Sequence, residues 1–88
     1  MENLTPNLKN LFEKGKEIEI ERDYLNWLLG LNEELKTRNL DNSQVEKEIE
    51  VAKETLKELI SKIIEDSYKL IPEELVREQE QGLRDLVK

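Results

Sequence analysis

The chain has 88 residues, of which 36 % are apolar and 40 % charged, and its formal net charge is -7. That length makes one small domain, near the size where a single core gives only a few kcal/mol of net stability. The acidic balance argues against a nucleic-acid binder, which needs basic residues to displace phosphate counterions, and disfavours an anionic membrane surface.

Neither cysteine nor histidine occurs. Disulfides, zinc clusters, thiol catalysis and the commonest general base are therefore not expected. The opening "MENLTPNLKNLFEKGK" has no basic segment leading into a long apolar run, and no stretch approaches the ~18 apolar residues of a membrane span. The expectation is a soluble, cytoplasmic, all-α domain over residues 1–88, with no cofactor, no metal, no nucleic acid and no membrane partner.

The first helix is expected over residues 5–14. Thr5 suits the N-cap, and Pro6 suits the first helical position, where its missing N–H costs nothing. Leu4, Leu8, Leu11 and Phe12 share one face, pointing away from the apolar arc used after position 17. Gly15 lies at this change of phase and costs about 1 kcal/mol in a helix interior. The pattern predicts a break at Gly15-Lys16.

The second helix, about 17–38, contains "DYLNWLLGLNEEL", with the only tryptophan and one of two tyrosines. Its apolar arc is close to ~200° wide, where a one-sided surface helix needs little more than ~100°. Two stripes emerge. Ile18, Leu25 and Leu29, with Asn32 alongside, form one; Ile20, Tyr24, Trp27, Leu28, Leu31 and Leu35 form the other.

"TRNLDNSQVE" supplies a stop and a restart. Asn39 suits a left-handed helix terminus. Asp41 is expected as the next N-cap, with Gln44 reaching back to its N–H and Leu40 against Val45. A connection this short implies antiparallel neighbours.

The third helix, about 42–69, carries a seam of alternating steps of four and three: Val45, Ile49, Ala52, Leu56, Leu59, Ile63 and Leu70, interrupted by Asp66. Pro72 ends it, because the residue before a proline is pushed out of the α region. A fourth helix is expected over 73–87, with Glu73 and Glu74 at the positive end of its dipole.

Assembled, these elements give a long antiparallel, coiled-coil-like helical hairpin flanked by two short helices, a small helical bundle. Leu25, Leu29, Val45, Ile49, Ala52, Leu56, Leu59 and Ile63 are the expected hairpin core. Tyr24, Trp27, Leu28, Leu31 and Leu35 are the expected interface, since the chain has too little length left to cover them. Glu21, Asn32 and Asp66 stand at or beside the seams, either as solvated positions or as polar contacts that set register.

The leading expectation for function is a non-enzymatic interaction module that self-associates as a homodimer through the second helix. An alternative is a small acidic inhibitor or regulator of a basic protein target, an anti-factor, immunity protein or nucleic-acid mimic, steered by the net negative charge. A second alternative is a magnesium-dependent all-α hydrolase using Glu33, Glu34, Glu46 and Glu50. Those glutamates lack the E-E-x-x-E and E-x-x-D patterns such a site uses, and a solvated acidic face accounts for them more simply.

Overall fold

The computed structural model describes residues 7–87, and among them every regular element is helical. Three helices follow in chain order: α1 (Leu8–Thr37), α2 (Ser43–Leu70) and α3 (Glu73–Arg84), the last continuing as a 3-10 turn at Asp85–Val87. One helix of 30 residues replaces the two expected over 5–14 and 17–38. The hairpin therefore has one short flanking helix, α3, rather than two. Thr5, with Leu4 and Pro6, lies outside the described residues; Asn7 caps α1, its Oδ1 accepting from the Asn10 N–H at 2.8 Å.

The helix passes unbroken through Gly15 because its seam does. Leu11, Lys14, Ile18, Glu21, Leu25, Leu28, Asn32 and Leu35 recur in alternating steps of three and four along the side that meets α2. Three of those positions are polar, which conceals the repeat. Leu8 and Phe12, whose phase suggested a break, are left exposed and so impose no change of direction. Gly15 faces α2: a Cβ built there would stand 3.9 Å from Ile63 Cδ1.

Averaged around the wheel, the apolar residues of α1 nearly cancel, while those of α2 and α3 lie on one side. An arc wider than one neighbour can cover produces that cancellation.

The turn after α1 is a Schellman motif. Asn39 takes φ 58, the Leu40 N–H donates to the Leu35 carbonyl at 2.9 Å, and the Asn39 N–H donates to Lys36 at 3.1 Å. The start of α2 differs from the expected capping box. Asn42 is the N-cap residue, and Asp41 Oδ1 accepts from the Ser43 N–H and the Ser43 hydroxyl at 3.1 and 3.0 Å. Those two bonds hold the Asp41 carboxyl below its ordinary pKa, the backbone one most strongly. Leu40 stays exposed rather than stapled down. At the far end Ile71 adopts the extended backbone that Pro72 demands, which stops α2 at Leu70.

The core runs along the α1–α2 seam. Ile18, Leu25, Leu28, Ile49, Ala52, Leu56, Ile60, Ile63 and Ile64 are buried, with Leu56 and Ile60 fully enclosed. Val45, Leu59, Leu83 and Leu86 pack on its margin. From Pro72 the chain folds back along α2, burying Val76 and bringing Arg84 and Val87 beside Lys57 and Ile60. The molecule is elongated. Its radius of gyration is 16.1 Å, against about 12 Å for a compact chain of this length.

Candidate interaction face

At 100° per residue, α2 presents Glu48 and Val51 on one flank of its seam and Lys57, Ile64 and Tyr68 on the other. The second flank receives α3, where the Tyr68 hydroxyl donates to Glu80 Oε1 at 3.0 Å. Glu80 also accepts from Arg84, and these two bonds hold its carboxyl below the ordinary range. Tyr68 is pushed above its ordinary value, chiefly by the same bond to Glu80.

The first flank is where α1 leaves its large side chains. Ile20, Tyr24, Trp27 and Leu31 follow in steps of four, three and four, and the Tyr24 hydroxyl donates to Glu48 Oε1 at 3.2 Å. Ile20 is 68 % exposed and Trp27 61 %. The Tyr24 and Trp27 rings stack, with centroids 6.4 Å apart and planes inclined by 18°. Partial desolvation, the Glu48 hydrogen bond and the negative charges of Glu48 and Glu21 raise the Tyr24 phenol above its usual pKa.

Two expected assignments are corrected here. Leu28, placed on the outward stripe, is 3 % exposed and belongs to the core, because it lies one turn from Leu25 and Asn32 on the seam. Leu29, placed in the core, is 41 % exposed, because the seam passes through Leu28 and leaves its neighbour on the outer edge. Leu31 and Leu35 are half-buried, while Tyr24 is exposed along with Trp27. Ile20, on the expected outward stripe, is exposed, and Val51 extends the face from α2; Val51 was readable as part of it only once the α2 flank was known.

The polar seam residues have distinct environments. Lys14 Nζ reaches buried Asp66 Oδ2 at 2.9 Å, and Asn42 Nδ2 donates to buried Asn32 Oδ1 at 2.8 Å. Glu21 is half-buried next to Tyr24, and the neighbouring Arg22 approaches Asp23 at 3.5 Å.

The four glutamates of the magnesium reading are not gathered: among the described residues no group of three or more His, Cys, Asp or Glu is placed to hold a metal ion. Glu34 instead binds Arg38 at 2.7 Å, one turn on. No described helix is long and apolar enough to cross a membrane. Compared with protein-family models, curated proteins and solved structures, the chain matches none.

Proposed function

We propose that this chain is a non-enzymatic helical interaction module that self-associates through the face made by Ile20, Tyr24, Trp27 and Leu31 of α1. The observation that carries the reading is the solvent-facing Tyr24–Trp27 stack on a flank that α3 leaves open. Tryptophan and tyrosine are the residue types that most often dominate binding energy at interfaces. An 88-residue chain with a narrow core gains stability when such a face is covered.

The surface area agrees with this reading. The accessible surface is 6587 Å² for 10.4 kDa, where a compact monomer of that mass exposes roughly 5,400 Å². The surplus of about 1,200 Å² exceeds the ~800 Å² that each partner of a standard interface buries.

Light scattering at about 100 µM, far above typical specific affinities, tests the proposal. A mass of twice the chain supports it, with weak dependence on salt because the contact is apolar. A chain-sized mass at every concentration overturns it, and capture by a basic protein that weakens steeply with salt would favour the acidic-regulator reading instead.

A further inference from the structure

Resting on that reading, we infer that the second copy docks antiparallel on α1, about a two-fold axis lying between Tyr24 and Trp27. The spacing of the stripe is its own mirror image: Ile20, Tyr24, Trp27 and Leu31 are separated by four, three and four residues. An isologous contact needs such self-complementarity. Reversing one helix places Tyr24 on Trp27 of the second copy and Ile20 on Leu31, so apolar meets apolar at every step.

Charge decides between the two directions. The stripe extends at helical spacing to Glu13 at one end and, at the C-cap of α1, to Arg38, whose guanidinium also binds Glu34 of its own chain at 2.7 Å. In the antiparallel arrangement Glu13 meets Arg38 of the second copy, twice per dimer, and Lys16 comes beside Glu34. In a parallel arrangement each of these charges faces its own copy, which is unfavourable.

The seat is α1 rather than the groove shared with α2. On the same flank α2 offers Glu48, Thr55 and Lys62 at helical spacing and only Val51 among exposed apolar residues. An axis centred on the groove would desolvate those polar groups without partners. Centred on α1, it leaves them at the rim.

The test uses the absence of cysteine from the chain. A single spin label at Thr37→Cys, exposed at the last position of α1 and about 100° around the helix from the stripe, reports the direction of crossing. The antiparallel dimer separates the two labels by roughly 23 residues of helix, about 35 Å. A separation under about 20 Å, as for adjacent parallel helices, overturns the geometry while leaving self-association intact. No dipolar coupling at about 100 µM overturns self-association itself.

Charge exchange gives a second readout. Glu13→Arg and Arg38→Glu alone each weaken dimerisation roughly two- to thirty-fold, and the double variant restores it. Failure of the double variant to recover, with helicity unchanged, contradicts the proposed pairing.

Discussion

Lys14 and Asp66, 52 positions apart in sequence, meet at 2.9 Å where the open end of the hairpin closes. Asp66 is buried on the seam of α2, and Lys14 occupies the matching seam position of α1. At the other end Asn32 and Asn42 form a second polar pair across the turn. The two pairs bracket a stretch of seam that is apolar apart from Glu21 and would otherwise tolerate sliding by a turn, which is how buried polar groups specify register in helical pairs.

Removing one member of the first pair should therefore cost more than removing both. Lys14→Met leaves the Asp66 carboxylate buried without its cation, a loss of about 2–3 kcal/mol. Lys14→Met combined with Asp66→Leu should recover most of it. Urea melts of the three proteins measure the difference; equal stability of Lys14→Met and the parent would show that the pair does not matter.

Gly30 and Gly82 sit inside helices with open space where a Cβ would be. Each changed to Ala should gain about 0.5–1 kcal/mol by restricting the unfolded chain and raising helix propensity. Thermal melts should shift upward by about 4–8 °C per kcal/mol. A fall in Tm at either site would contradict the open environment.

Asn39 holds φ 58 at the end of α1. Asn39→Gly should be neutral or slightly stabilising, and Asn39→Val should cost at least about 1 kcal/mol, because a β-branched residue resists that conformation. Denaturant midpoints of the two variants give the comparison. Equal midpoints would mean that the Schellman turn opens at little cost.

Asp41 and Glu80 both have lowered pKa values, from the Ser43 bonds in one case and the Arg84 and Tyr68 bonds in the other. A carboxyl with a lower pKa when folded contributes stability above its unfolded pKa. That contribution is lost as pH falls through the folded value. Stability should thus decline on acidification below about pH 4, and Asp41→Ala should make the decline shallower. Tyr24 and Tyr68 have the opposite sign for a phenol: their raised values favour the neutral form, and the benefit disappears as pH rises through them. Phenolate absorbance should appear at higher pH in the folded protein than in urea, and coincident titrations would refute both hydrogen bonds to glutamate.

Much of α2 was legible because its seam residues are nearly all apolar and its ends carry local chemistry, Asn39 before it and Pro72 after. In α1 the same repeat runs through Lys14, Glu21 and Asn32, whose polarity hides it from any reading of hydrophobic phase. Two of those three have partners, Asp66 and Asn42, that only the folded chain brings near. The exposed Leu8 and Phe12 then supplied a misleading second phase. The outward position of Tyr24 and Trp27 was readable from excess width of the apolar arc; which of Leu28 and Leu29 faces α2 depended on a rotation of α1 that the hidden repeat sets.

Sedimentation equilibrium of the parent and of Trp27→Glu tests the central claim most directly. The account predicts twice the 10.4 kDa chain mass for the parent at about 100 µM, and the chain mass for Trp27→Glu with its helical circular dichroism retained. A parent that sediments as a single chain, or a Trp27→Glu variant that remains dimeric, would contradict it.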